Sequence, residues 1–484
     1  MFVTEPTARD ASLVASDQGA ASVAHVTETV QPGPPLRMRI PGPSPAVRQF
    51  IVTEAGSARL LLAATVLALV WVNSPWSDSY TDFWSTTAGF GVGDLGVEMD
   101  LHHWVNDAAM AMFFLVVGLE ITREVSTGEL RDRRAVAVPA LGALGGLAVP
   151  ALLYLAFNRS GEAAQGWGMV MSTDTAFVIG ILALFGPRCP ERLRLFLLTL
   201  SIVDDIGAIT VMALFYSDSL DLTALSVAAA LLALIAGLRW LGVWRLGPYV
   251  FAGVALWLAV LASGVHATLA GVLLGLLIPS PPSREAERAR IPAFGRALME
   301  APSAARVRLA VLAARATVPP NARLTQLLHP WSAYVVVPVF GLANAGVSLD
   351  AESLRAAARS PVTVGVVVAL VLGNTLGVTL LSTLALRLHW GALPGQVRYT
   401  HLLGGAALAG IGFTISLFIA ELAFTDGALR EQAKIGILVG SVTAALLGTV
   451  ILRTLGERSS LCTTSTGELP TLPPRPWHEP RPIG

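Results

Sequence analysis

Apolar residues along this chain come in long blocks separated by short polar segments. The blocks begin at about 55–72 and continue through 101–125, 135–157, 166–185, 193–215, 222–241, 248–261 and 264–278. After a long polar interruption at 279–326 come 327–347, 361–386, 399–424 and 435–455. Most lie near or above the roughly 20 residues with which a helix crosses the hydrocarbon of a bilayer. The pattern predicts an all-α polytopic membrane protein of about twelve transmembrane helices. The pair of blocks flanking Ser263 is the shortest and least regular of them.

Composition agrees with this class. Of 484 residues, 54% are hydrophobic and only 14% charged, and the mean hydropathy is +0.63; a soluble chain of this length carries far more charged surface. Lys+Arg and Asp+Glu are both 33, so no charge excess points to nucleic acid, and none is expected as a partner. The distribution of charge says more. Arg131, Arg133 and Arg134 follow the second block, Arg188, Arg192 and Arg194 the fourth, Arg239 and Arg245 the sixth, and Arg284, Arg288, Arg290 and Arg296 the eighth. The alternate loops are acidic, with Asp94, Glu98 and Asp100, then Asp218 and Asp221, then Asp350 and Glu352. Positive loops mark the cytoplasm, which predicts a multi-pass cell-membrane protein with both termini cytoplasmic. Residues 1–48 and 457–484 are rich in Pro and small polar residues and read as disordered tails around a membrane domain at 49–456. The first tail lacks the apolar core of a secretory signal. The basic stretch 279–326 either touches anionic lipid or is an extended cytoplasmic loop with the ordinary positive-inside bias, the plainer reading. Cys189 and Cys462 cannot build a disulfide framework.

Charges inside apolar blocks are costly and mark function. Asp204-Asp205 lies in Leu198–Ala208 with apolar runs on both sides. Neighbours on a helix point about 100° apart, so one carboxylate can line a cavity while the other meets another helix. Ser172-Thr173-Asp174-Thr175 interrupts the fourth block with residues that bond their own backbone and so compete with helix; Asp174 is placed to compensate the positive ends of a broken helix. Gly404-Gly405 and Gly410-Ile411-Gly412 interrupt the eleventh block, either for close packing or because the helix unwinds. Paired interruptions in the two halves of a chain are the mark of inverted-repeat transporters with a midplane site. Glu120, Arg123 and Glu124 end the second block and read equally well as a solvated helix end. His266 reads as a packing residue, and the other histidines show no metal-ligand spacing.

These residues resemble the NhaA family of sodium/proton antiporters. The resemblance is carried by Gly118–Glu124, Thr173-Asp174, Ile202–Ala208, Gly264–Gly271, His329-Pro330-Trp331, Ala343–Leu349 and Gly410–Ser416, which run in family order from about Ala55 to Leu455. It implies the NhaA fold, with inverted repeats and with spans 4 and 11 unwound and crossing. It implies Asp205 as the principal ligand of a transported sodium or lithium ion and Asp204 as its partner. Thr173 and Asp174 support the site, and Glu120, Arg123, Glu124 and His329 match a cytoplasmic pH-sensing region. No cofactor is implied; the partners are sodium, protons and the lipid bilayer, with a homodimer left open. Two departures stand out. The family's intramembrane lysine of span 10 falls on Asn374, and a common Glu-His pair is Thr325-Gln326 here. The only lysine is Lys434. The expected function is pH-regulated export of cytoplasmic sodium against external protons, since a carboxylate that holds either a proton or sodium cannot hold both well. With Asn374 in place, coupling closer to electroneutral is an alternative. So is a cation channel. An intramembrane aspartyl protease is remote: Gly91-Val92-Gly93-Asp94 fits its pattern, but in an acidic loop.

Overall fold

The computed structural model describes residues 54–456 apart from 93–94, 128–132, 185–190, 217–220, 281–290, 302 and 392–398. The tails 1–48 and 457–484, both cysteines and the loop charges within those gaps lie outside the described residues.

Helix α1 (Glu54–Val72) is followed by short α2 (Ser77–Ser85) and by strands β1 (Thr87–Val92) and β2 (Leu95–Asp100). Then come α3 (Leu101–Ser126), α4 (Arg133–Phe157), α5 (Thr175–Leu184), α6 (Glu191–Phe215), α7 (Leu222–Trp240), α8 (Leu246–Ala262) and α9 (Thr268–Leu277). Helices α10 (Ile291–Glu300), α11 (Ala304–Thr317), α12 (Pro320–Trp331), α13 (Val337–Asn344) and α14 (Ala351–Arg359) follow. The chain closes with α15 (Pro361–Arg387), α16 (Tyr399–Leu408), α17 (Phe413–Ala423) and α18 (Gly427–Gly456).

Among the described residues, six helices are long and apolar enough to cross a membrane, or eight if each of two bent pairs is one span. The molecule is thus a mostly helical, multi-pass membrane protein. Other apolar blocks miss that criterion for visible reasons. The fourth is broken at 171–174, and the ninth runs through a π-helical segment at Ser332–Val336 that joins α12 to α13. The blocks around Ser263 form the shorter helices α8 and α9.

Three features depart from what the apolar pattern predicts. Strands β1 and β2 pair antiparallel from Thr87↔Asp100 to Val92↔Leu95; Gly91 and Val92 of the protease-like stretch therefore lie in β1, outside the apolar helices, and 93–94 lie outside the described residues. The 279–326 stretch is not simply extended: α10 and α11 lie in it, with Arg306 Nη1 donating to Ala297 O at 2.7 Å. Leu327 does not begin the ninth block, because helix already starts at Pro320.

The acidic loops have a local structural role besides their charge. Asp100, Asp221 and Asp350 each cap a following helix, accepting from His103 N (2.7 Å), Thr223 N (2.7 Å) and Glu352 N (2.8 Å). Such caps satisfy amides that no carbonyl within the helix can reach. Backbone N–H bonds, Thr223 first for Asp221 and Ser353 first for Asp350, hold both exposed carboxyls below the usual aspartate range. Small residues set the closest helix contacts. A Cβ on Gly118 would stand 2.7 Å from Val272 O, and one on Gly275 would stand 2.7 Å from Leu115 O. Only glycine lets α3 and α9 approach this far.

Candidate functional site

Two backbone interruptions meet in the interior. The 3₁₀ turn Gly166–Val170 gives way to non-helical backbone at 172–174 before α5 begins. Between α16 and α17, residues 409–412 are likewise unwound, with a bend of 43°. The two stretches bond to each other: Asp174 N donates to Ile411 O at 2.6 Å, and Thr173 Oγ1 donates to Ala409 O at 2.8 Å. Buried amides freed by unwinding need such partners. Asp174 completes the junction. Its Oδ1 accepts from Phe177 N at 3.2 Å, capping α5, and its Oδ2 accepts from Thr414 N at 3.1 Å, capping α17. One carboxylate thus compensates the positive ends of two helices.

The aspartate pair is presented to this junction by α6. Asp204 is buried, and its Oδ2 accepts from Thr173 N at 2.8 Å. Asp205, 8% exposed, faces a different way and lines a cavity of about 320 Å³. Asp204 Oδ1 and Asp205 Oδ1 are both buried without a protein hydrogen-bond partner. A buried carboxylate oxygen with no donor needs one from elsewhere or a cation. The cavity also exposes Thr173, Asp174, Thr414, Glu120 and His329, and among the described residues no lysine or arginine lines it. An acidic, low-dielectric cleft of this kind concentrates cations.

The other expected residues fall in distinct places. Glu120 and His329 line the cavity toward the ends of α3 and α12. Arg123 and Glu124 continue α3 beyond Glu120, with Arg123 exposed. Asn374 is fully buried on α15; its Nδ2 lies 3.5 Å from Val170 O, just ahead of the break, and its Oδ1 has no protein partner. His266 is satisfied by a short bond to Tyr216 O, as a packing residue.

Comparisons with known proteins bear on what such a junction is. Residues 48–452 match the family model described as Na+/H+ antiporter 1. The chain belongs to that family. It is also 64% identical over 458 residues to "Na(+)/H(+) antiporter NhaA 3" of Frankia alni, covering 94% of this chain and 99% of the relative. An NhaA 1 antiporter of Mycolicibacterium vanbaalenii is 46% identical over 434 residues, or 88% of this chain and 69% of that one. An NhaA antiporter of Cupriavidus necator is 44% identical over 414 residues, or 83% and 88%. Among solved structures, the sodium proton antiporter MjNhaP1 from Methanocaldococcus jannaschii aligns with a TM-score of 0.47 at 13% identity, covering 85% of this chain and 97% of that chain. As a member of the Na+/H+ antiporter 1 family, the chain is a transporter and not an enzyme.

Sequence reasoning did not single out one further group of this antiporter's residues. Glu421, 8% exposed at its side chain, lies near the end of α17 and is paired with Lys434 of α18 and with Arg430, whose Nη1 is 3.2 Å away. An acid inside Ile419-Ala420-Glu421-Leu422-Ala423 was a visible signal. It lies close to the polar turn before α18, Thr425-Asp426.

Proposed function

We propose that this antiporter exports cytoplasmic sodium or lithium in exchange for external protons by alternating access, with Asp205 as the principal ligand and Asp204 beside it. The reading includes the twelve-span arrangement with inverted repeats, spans 4 and 11 crossing at 171–174 and 409–412, and both termini in the cytoplasm. The observation that carries it is the unpartnered Asp205 Oδ1 at an acidic cavity beside two broken helices, with Asp204 Oδ1 buried and unpartnered on the adjacent residue. Oxygen donors suit a hard cation.

The chemistry follows from competition. Sodium reaching Asp205 through the cavity displaces a proton, because both need the same carboxylate oxygen. Thr173 N–H holds one oxygen of Asp204 in place, leaving the other buried without a protein partner. A protein that reorients only when the pair carries one cargo or the other exchanges the two. Glu120, Arg123, Glu124 and His329 supply titratable and charged groups along the cavity's cytoplasmic approach, the basis proposed for pH regulation. Asp205→Asn should abolish sodium-dependent ΔpH in everted vesicles; exchange at the wild-type rate in that variant would refute the site.

Asn374 supports a second reading of the coupling. A neutral amide stands where the family places a lysine, so no fixed positive charge on α15 offsets Asp204. Exchange closer to electroneutral is proposed on that ground.

A further inference from the structure

A buried aromatic cluster lies next to the cavity-lining turn of α17. Thr414 and Ile415, the cavity-lining residues of α17, are followed one turn later by Phe418, whose ring stands 5.6 Å from that of Phe114 on α3 and 6.3 Å from that of Phe340 on α13. All three are buried to within 1%. The next turn of α17 brings Glu421, about 10 Å along the axis from Thr414. Both of its oxygens are engaged, Oε1 by Lys434 Nζ and Oε2 by Arg430 Nη1 at 3.2 Å, while Arg430 Nη2 also donates to Phe424 O at 2.9 Å. Nearby, α3 and α13 carry a second polar group. His102 Nε2 is 3.0 Å from Asn344 Oδ1, and Asn344 Nδ2 donates to Asn106 Oδ1 at 2.9 Å. His102 lies within electrostatic reach of both Glu421 and Lys434.

An aromatic layer and an ionic layer therefore follow one another along α17 beyond the cavity-lining Thr414 and Ile415. Hydrophobic residues of similar size would fill the second layer at no loss of stability, since a buried ion pair rarely gains more than its desolvation costs. Charges at this depth in an apolar helix point to a working role. Beyond the cavity-lining turn of α17, Phe418 packs against Phe114 and Phe340, and Glu421 is the next polar side chain along the helix. We propose that Glu421, held by Lys434 and Arg430, is a positioning residue that latches the far exit shut and sets how the antiporter divides its time between its two facings. The inference rests on the alternating-access reading of the preceding section.

The test is sided sodium affinity in full-length protein, measured from each face in everted and right-side-out vesicles. Glu421→Gln should weaken apparent sodium affinity at the cavity face and tighten it at the far face, because a ligand sees only the fraction of protein facing it. The ratio of the two should move at least about five-fold, the lower end of a two-state coupling. Arg430→Gln, at a one-third exposed side chain, should shift the ratio the same way but less, and remains informative if Glu421→Gln does not fold. An unchanged ratio in active Glu421→Gln or Arg430→Gln, or equal shifts at both faces, overturns the latch. Asp205→Asn in the same vesicles tests the site separately: its failure to abolish exchange refutes the site reading, whatever the ratio shows.

Discussion

Adjacent carboxylates on one helix do different things here because their bonds differ. Asp204 spends one oxygen on Thr173 N–H and is oriented by unwound backbone, whereas Asp205 looks into the cavity. Asp174 acts through other groups: it caps both α5 and α17. Asp174→Ala should remove two caps at once, at a cost of about 1–2 kcal/mol each, read as a lower thermal midpoint in detergent together with weaker sodium affinity. Asp174→Asn keeps an acceptor and should lose less; equal losses in the two variants would show that charge, and not capping, is its contribution. Thr173 separates its backbone from its side chain. Thr173→Val keeps the N–H that holds Asp204 but strands Ala409 O, costing about 1–3 kcal/mol. Its thermal midpoint should fall while the exchange rate is largely kept, and a complete loss of exchange would place Thr173 Oγ1 among the ion's own ligands.

At the scale of elements, helices are set against each other by small residues and pinned by bonds between loops. Gly275→Val should clash with Leu115 O on α3, and overpacking of this kind costs about 1–3 kcal/mol; a thermal midpoint equal to that of wild type would show that α9 can slide. Glu162, at a single turn before the broken span, ties it to the α17–α18 loop through Asp426 N (2.9 Å), Thr425 N (2.6 Å) and Thr425 Oγ1 (2.8 Å). The Asp426 N–H and then the Thr425 hydroxyl hold its carboxyl below the usual glutamate range. A depressed carboxyl contributes stability that is complete above its unfolded value of 4.5 and is lost as pH falls through the lower folded value. The midpoint of wild type should therefore exceed that of Glu162→Gln at neutral pH, and the gap should close on acidification; a gap independent of pH would exclude the carboxylate as its source. Much of this architecture was legible in residue patterns. Ser172–Thr175 and Gly410–Gly412 announced both breaks, because their side chains or lack of them disfavour helix locally. The β1–β2 hairpin was not announced, since Thr87–Asp100 mixes glycine with acid and lacks clean alternation. The bonds between the breaks, from Asp174 to Thr414 and from Thr173 to Ala409, join residues more than 200 apart in sequence. Lys434 likewise gave no sign of facing Glu421, because that contact depends on how α17 and α18 are packed.

For the molecule as a whole, the question is how much charge moves per cycle. Among the described residues the cavity holds carboxylates and a histidine but no lysine or arginine; Lys434 and Arg430 are occupied with Glu421 beyond the aromatic cluster. Asn374, buried against Val170 O, cannot take up or release a charge as the ion comes and goes. If one proton then returns for each sodium exported, no net charge crosses and the membrane potential does no work on the cycle. If two protons return, each 100 mV contributes about 2.3 kcal/mol, which shifts the balancing sodium gradient by about 50-fold. Proteoliposomes clamped at 0 and 100 mV should therefore show the same reversal gradient for the wild type, and a shift approaching 50-fold would sink the electroneutral reading. Asn374→Lys supplies the missing positive group on α15 and should make the reversal gradient respond to voltage, provided the ammonium reaches Asp204 when sodium is absent. A folded Asn374→Lys protein that still ignores voltage would mean that the stoichiometry is fixed by the aspartate pair itself, with the residue on α15 serving only to pack against the break.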